Sequence, residues 1–105
     1  MYGIVWEFRV RAGVEEQFMA GYGPDGDWAR FFRQSEGYVR TELARSTTDP
    51  QIFFTFDYWE SDLKFEIFRE LHAAAYEEMD KKFASLTETE RRIGAFVLNT
   101  ESFAN

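Results

Sequence analysis

Four stretches of the chain carry the alternating or densely apolar pattern that is typical of β-strands. The most apolar is residues 52–59, where aromatic and β-branched side chains predict a central strand covered on both faces. In residues 2–11, apolar positions alternate with charged ones, which predicts a strand with one buried face. The other two predicted strands are residues 38–45 and 91–99.

Helical spacing of apolar residues predicts the segments between these strands. In residues 14–22, Val14, Phe18 and Tyr22 recur at intervals of four, as on one face of a short amphipathic helix. A glycine-rich loop follows and ends in a further helical segment, residues 28–34, which carries three aromatic side chains. The first connection therefore contains a helix and a separate short helical segment.

Two helices are predicted after the central strand. Ser61 is a good N-cap for a helix from residue 62, because its hydroxyl accepts a bond from a free backbone N–H. A longer helix follows over residues 72–86, and no Gly or Pro marks the boundary between the two. The first of these helices is expected to bury one stripe, with Phe65 off it: Leu63, Ile67, Phe68 and Leu71.

The order strand, helix, strand, strand, helix, strand is the split βαβ pattern. It predicts a ferredoxin-like α+β fold, in which a four-stranded antiparallel sheet carries its helices on one face. The chain is expected to form a single domain, residues 1–105, with a loose tail at residues 100–105.

Strict alternation divides the second strand and the central strand into faces. In the second strand, Tyr38, Arg40, Glu42 and Ala44 are expected to share one face. In the central strand, one face is fully apolar (Ile52, Phe54, Phe56 and Tyr58), and the opposite one holds Phe53, Thr55, Asp57 and Trp59. A large aromatic face without helices marks an interface, so we expect a homodimer packed through the sheet face.

Composition excludes several classes of function. The chain has 12 Lys and Arg against 19 Asp and Glu, a net charge of −7, which disfavours nucleic acid and anionic membranes as partners. It has no cysteine and one histidine, so neither a thiolate site nor a transition-metal site is expected. No secretory signal or membrane-spanning run is visible, and a cytoplasmic location is the default expectation.

Several short motifs resemble the antibiotic-biosynthesis-monooxygenase (ABM) family of dimeric ferredoxin-like barrels. Residues 57–61 (DYWES) are similar to the family's acidic-x-Trp motif followed by a helix cap. Residues 8–13 (FRVRAG) and 35–38 (SEGY) resemble the end of its first strand and the start of its second. Residues 23–28 (GPDGDW) look like a subgroup with an inserted helix. By the order of its elements, the resemblance extends over roughly the whole chain.

The resemblance implies three possible functions. The leading one is a cofactor-independent monooxygenase that oxidises a small electron-rich aromatic compound, a phenol, quinol or polyketide, with O₂. The alternatives are a non-catalytic dimeric module that binds a small hydrophobic ligand, and a haem-binding or haem-degrading protein. The haem-degrading branch resembles this chain at Trp59, but Trp6 stands where that branch has Asn, and His72 lies further along the helix than its histidine.

Three residues are candidates for catalysis. Asp57 and Trp59 share one strand face, where the carboxylate can orient a partner and the indole N–H can hold a substrate oxygen. The structural alternative is a core tryptophan and a carboxylate paired with an arginine such as Arg9 or Arg45. His72, the single histidine, is a candidate base for deprotonating a phenol, against the alternative of an ordinary surface histidine.

Aromatic side chains and one arginine are the candidates for substrate binding. The aromatic ones can form the walls of a pocket for a flat ligand, and their structural alternative is the hydrophobic core. The arginine can stabilise a phenolate, and its alternative is an ion pair within the sheet or between subunits. The candidates are Trp6, Phe8, Trp28, Phe32, Arg40 and Tyr58.

Overall fold

A computed structural model describes residues 1–98 of the chain. Its elements are β1 (Tyr2–Val10), α1 (Glu15–Tyr22), α2 (Asp27–Phe32), β2 (Tyr38–Arg45), β3 (Ile52–Trp59), α3 (Asp62–Leu71), α4 (Ala73–Phe83) and β4 (Thr87–Val97). The strands form one antiparallel sheet in the order β2-β3-β1-β4. The predicted ferredoxin-like α+β fold is confirmed. The predicted end of the last strand at Asn99 and the loose tail, residues 100–105, lie outside the described residues.

The core lies between the sheet and the helices and is largely aromatic. Phe18 of α1 is fully buried against Phe53 of β3, with ring centroids 5.2 Å apart. Trp59, at the end of β3, is also fully buried and packs 5.4 Å from Phe68 of α3. The helices therefore cover the face of β3 that carries Phe53, Thr55, Asp57 and Trp59. The fully apolar face of the strand points away from them.

A bulge in β2 changes the predicted faces of that strand. The pairing of β2 with β3 shifts register between Tyr38 and Arg40, so Val39 is the extra residue. Tyr38 consequently turns to the helix side, where its ring lies 5.4 Å from that of Trp59. The expectation that Tyr38 shares a face with Arg40, Glu42 and Ala44 was wrong for Tyr38, because strict alternation does not hold across a bulge.

The buried face of α3 also differs from the expected stripe. Leu63, Ile67 and Leu71 are 65%, 47% and 75% exposed, whereas Phe65 and Phe68 are buried. The two phenylalanine rings lie 5.2 Å and 5.4 Å from Trp59, respectively. Phenylalanine offers a larger contact area than an aliphatic side chain, so the helix turns its aromatic pair to the core.

The boundaries of the last elements also differ from the prediction. The backbone leaves helical geometry at His72 (φ −116°, ψ 29°), which separates α3 from α4 without Gly or Pro. The helix predicted over residues 72–86 is therefore α4 followed by a 3₁₀ turn, Ala84–Leu86. Strand β4 begins at Thr87, four residues before the predicted start at Arg91. Its first residues are polar and gave no apolar alternation, yet they pair with β1 at the sheet edge.

Candidate functional site

A cavity of about 260 Å³ lies between the helix-covered face of the sheet and helices α1 to α4. Its walls are mainly aromatic, and its polar groups come from β3, β4, α3 and α4. This is the combination typical of small-molecule sites, apolar walls with a few placed polar groups. The lining residues are Ile4, Trp6, Phe8, Tyr22, Trp28, Phe32, Thr55, Asp57, Phe65, Arg69, Tyr76, Asp80, Glu90 and Arg92.

Asp57 contributes a carboxylate from the sheet to the cavity. Its Oδ1 accepts a hydrogen bond of 2.7 Å from the hydroxyl of Thr41, its partner on β2. The Thr41 Oγ1 is in turn 2.7 Å from the hydroxyl of Tyr38. Burial raises the pKa of Asp57 from 3.8 to about 6, and the bond from Thr41 lowers it in part.

The structural alternative for Asp57, pairing with Arg9 or Arg45, was wrong. Arg9 instead forms an ion pair of 3.0 Å with Asp49, and the Nε of Arg45 donates to the carbonyl of Pro50. Among residues 1–98, Asp57 has no ion-pair partner within 4 Å. Its negative charge therefore faces the cavity without direct neutralisation.

Besides Asp57, the charged part of the lining holds two guanidinium groups and two carboxylates. Arg92 of β4 donates to the hydroxyl of Tyr2 at 3.3 Å, and Arg69 of α3 lies 5.6 Å from the ring of Tyr76. Burial raises the pKa of Asp80, and burial together with the charge of Asp80 raises the pKa of Glu90. Together with Asp57, these groups give the lining polar contacts of both signs of charge for a substrate.

Sequence patterns did not single out these four charged residues. Glu90 and Arg92 belong to the strand whose start was missed, and they face the cavity beside their β1 partners Phe8 and Trp6. Asp80 follows Tyr76 by four residues, so both lie on the same face of α4. That helical spacing was the one sequence signal that pointed to Asp80. It is a weak signal, because charged residues on helices are usually solvated.

Five of the predicted site residues line the cavity, and Trp59 lies next to it. Trp59 is fully buried behind the wall, 5.3 Å from the ring of Phe32. Its indole N–H, like that of Trp28, has no hydrogen-bond partner among residues 1–98. The side chains that border the cavity are Trp6, Phe8, Trp28, Phe32 and Asp57.

The other three predicted site residues do not line the cavity. Arg40 and Tyr58 lie on the opposite face of the sheet. There, the guanidinium carbon of Arg40 is 4.3 Å from the centre of the Tyr58 ring. Glu42 completes this cluster, because it accepts a bond from the Tyr58 hydroxyl at 3.1 Å and pairs with Arg40 at 3.5 Å. His72 lies at the junction of α3 and α4, with its ring 4.6 Å from that of Phe68. Strand alternation places Arg40 and Tyr58 on the face without helices, and the break between α3 and α4 places His72 at their junction.

Residues 1–98 contain neither a metal-binding cluster of side chains nor a membrane-spanning helix. No group of three or more His, Asp or Glu side chains is placed to hold a metal ion in this part of the chain. No helix in the same range is long and apolar enough to cross a membrane.

The fold and the cavity define a small ferredoxin-like protein with a ligand-sized site between sheet and helices. The family model described as antibiotic biosynthesis monooxygenase matches residues 1–77. The chain therefore belongs to the ABM family. No functionally curated protein matches it in sequence.

Solved structures show the same fold at low sequence identity. SnoaB from Streptomyces nogalater, described as a cofactor-independent oxygenase, is 22% identical with a TM-score of 0.68, and the match covers 92% of this chain and 91% of SnoaB. A candidate antibiotic biosynthesis monooxygenase from Bordetella bronchiseptica is 20% identical with a TM-score of 0.71, covering 92% and 95% of the two chains. A corresponding candidate from Deinococcus radiodurans is 12% identical, with a TM-score of 0.71 and coverage of 93% and 92%. At these identities, the likeness establishes the fold alone.

Proposed function

We propose that this protein is a cofactor-independent monooxygenase that oxidises a small phenol or quinol in the cavity between sheet and helices. Membership of the ABM family and the description of SnoaB as a cofactor-independent oxygenase support this class of reaction. The observation that carries the proposal is the position of Asp57, a carboxylate without an ion-pair partner in residues 1–98 that borders an aromatic-walled cavity. Such a group is suited to removing a proton from a bound hydroxyl.

The size and walls of the cavity favour a flat substrate with a single ring or with two fused rings. Its volume of about 260 Å³ lies just below the range of roughly 300–1,000 Å³ for drug-sized ligands. Trp6 and Phe8 of β1 form one wall, and Trp28 of α2 contributes from the helix side. Aromatic rings bind such a substrate by stacking and edge contacts and leave its hydroxyl for the polar groups.

Asp57 is the proposed general base. With a pKa of about 6, the carboxylate is ionised at neutral pH and is a stronger base than an ordinary aspartate. Removal of the phenolic proton places negative charge on the ring, which makes the ring electron-rich enough to react with O₂. With a phenol as the substrate, one oxygen atom of O₂ becomes the second carbonyl oxygen of a quinone. The other oxygen atom leaves as water, with the phenolic hydrogen and the hydrogen of the oxidised ring carbon.

Substitution of the two candidate bases tests this assignment. Oxygen uptake is measured with a panel of hydroquinones and naphthols, in the presence of a chelator, for the wild type, Asp57→Asn and His72→Gln. If Asp57 is the base, Asp57→Asn reduces kcat/KM about 10²–10⁴-fold, the usual contribution of general-base catalysis, and His72→Gln leaves it near the wild-type value. The opposite pattern would return the role of base to His72. Absence of uptake across the panel would contradict the oxygenase.

The second candidate function is a non-catalytic module that binds a small hydrophobic ligand. The largely aromatic lining supports it, because such walls bind a ligand whether or not a reaction follows. Quenching of tryptophan fluorescence by a panel compound, without oxygen uptake or product, identifies this case. Binding accompanied by conversion of a naphthol to a naphthoquinone, which contains one oxygen atom more, identifies the oxygenase.

The geometry does not fit haem bound through His72. The histidine does not border the cavity and packs against Phe68 and Phe31 instead. The cavity volume of about 260 Å³ is also small for a macrocycle of that size. Addition of haem is therefore expected to give no His72-dependent Soret band.

We also propose that the protein forms a homodimer through the sheet face that lacks helices. Ile52, Phe54 and Phe56 of β3 are partly exposed there, beside Val5 of β1. Phe96 of β4 extends the patch, with its ring 5.9 Å from that of Tyr58. A contiguous apolar face of this kind favours a self-complementary interface between two copies.

A further inference from the structure

We propose that Thr41, itself oriented by Tyr38, is a positioning residue for Asp57, holding one carboxylate oxygen so that the other remains available to the cavity. Its role in turnover rests on the proposed function, but its effect on Asp57 does not depend on turnover. Neither residue contributes to the cavity lining. Both therefore act through Asp57 rather than on a substrate.

The three side chains form a hydrogen-bonded chain across two neighbouring strands. Thr41 lies directly opposite Asp57 in the pairing of β2 with β3 and is 4% exposed. In a regular strand, Tyr38 and Thr41 would point to opposite faces, because they are three residues apart. The bulge at Val39 brings Tyr38 to the same side of the sheet as Thr41. The bulge thus has a specific consequence, since it brings a second hydroxyl to the side of Asp57.

The chemistry of the groups fixes the direction of the chain. An ionised carboxylate accepts hydrogen bonds only, so the Thr41 hydroxyl donates to the Oδ1 of Asp57. The Thr41 oxygen is then the acceptor for the Tyr38 hydroxyl. Among residues 1–98, the Oδ2 of Asp57 has no side-chain partner and is the oxygen available to a ligand.

This arrangement favours the ionised form of Asp57 in an environment that opposes it. Burial disfavours the charge, and the donated hydrogen bond offsets part of that effect. Tyr76 and Tyr38 also face Asp57, and burial raises the pKa of each phenol, so both stay neutral near pH 7. The remaining titratable or charged groups of the cavity are Tyr22, Arg69, Asp80, Glu90 and Arg92.

The test is direct titration of Asp57 by carboxyl ¹³C NMR in the ligand-free protein. The resonance is assigned by its loss in Asp57→Asn. Thr41→Val keeps the shape of the side chain and removes the donor, so the pKa of Asp57 is expected to rise by about one to two units. Thr41→Ser is the matched control, because it retains the hydroxyl and is expected to keep the wild-type value. Tyr38→Phe leaves Thr41 without its donor and is expected to give a smaller rise.

Two results would overturn the assignment. An unchanged pKa in folded Thr41→Val would show that the bond does not influence Asp57, and a Thr41→Ser value equal to that of Thr41→Val would assign the effect to packing. If Thr41→Val does not fold, Tyr38→Phe decides the matter, a rise supporting the proposal and an unchanged value rejecting it.

Turnover then separates this inference from the proposed function. In an active enzyme, the acid limb of the kcat/KM profile is expected to move in Thr41→Val by the same amount as the pKa measured by NMR. A shifted NMR titration without oxygen uptake in the wild type would retain Thr41 as a positioning residue and reject the oxygenase.

Discussion

Asp57 is unfavourable for folding at neutral pH. Its pKa is about 6 in the folded protein and 3.8 in the absence of burial, so the native state binds the proton more tightly than the unfolded state. Stability therefore falls as the pH rises from about 4 to about 6, and the full penalty persists above that window. A group that destabilises the fold but borders a cavity has the character expected of a functional residue.

Asp57→Asn is expected to increase stability in a pH-dependent way. A shift of roughly two pKa units corresponds to about 3 kcal/mol. The free energy of unfolding is therefore expected to increase by at most this amount at pH 8, and the increase should vanish near pH 4. Urea denaturation at the two pH values measures the difference. Glu78→Gln removes one exposed negative charge and is the control. A gain of equal size at pH 4 and pH 8 would show that the carboxylate is not the cause.

The sequence placed Asp57 and Trp59 on one strand face but could not identify the neighbours of Asp57. The pairing with Thr41 depends on the register of β2 against β3, which is a long-range property. The roles of Trp59 and His72 in catalysis stay predictions. Neither borders the cavity, since Trp59 is sealed behind the wall and His72 lies at a helix junction.

At the scale of elements, helix starts were more predictable than helix faces. Ser61 caps α3 as expected, its hydroxyl accepting a bond of 3.2 Å from the backbone N–H of Lys64. The buried face of α3 was not predicted correctly, because the helix has more than one face with several apolar residues. Contact with Trp59 selects the face that carries Phe65 and Phe68. The bulge in β2 and the break at His72 have no Gly or Pro to indicate them, so tertiary packing determines both.

Substitutions in α3 test which face is buried. Phe68→Ala removes a ring that is 2% exposed and is expected to cost about 3–5 kcal/mol of unfolding free energy. Leu71→Ala changes a side chain that is 75% exposed and is expected to stay within about 0.5 kcal/mol. Chemical denaturation of both variants gives the comparison. Similar costs for the two would indicate that the originally expected stripe is buried in solution.

At the scale of the whole molecule, the order of elements was sufficient to predict the fold class. The cavity was not predictable, because it depends on where large side chains from four helices and three strands fail to fill the space between layers. The sequence identified the aromatic walls but not the charged groups among them. The single-domain description of residues 1–105 stays a prediction.

The oligomeric state tests the proposed interface. Phe56→Lys introduces a charge into the partly exposed apolar face of β3 and is expected to convert a dimer into a monomer. Thr47→Lys, in the exposed loop between β2 and β3, adds the same charge elsewhere and is expected to remain dimeric. Light scattering after size-exclusion chromatography measures both masses. A monomeric wild type, or a Phe56→Lys dimer as stable as that of the control, would contradict the interface.

In the proposed function, an aromatic substrate binds in the cavity with its hydroxyl at Asp57. The most direct measurement is a crystal structure of the protein soaked anaerobically with a naphthol that it oxidises or binds. We expect the ring to lie between β1 and the helices, with its oxygen about 2.6–3.2 Å from the Asp57 carboxylate. A naphthol bound on the opposite sheet face beside Arg40 and Tyr58, or a cavity filled by its own side chains, would contradict it.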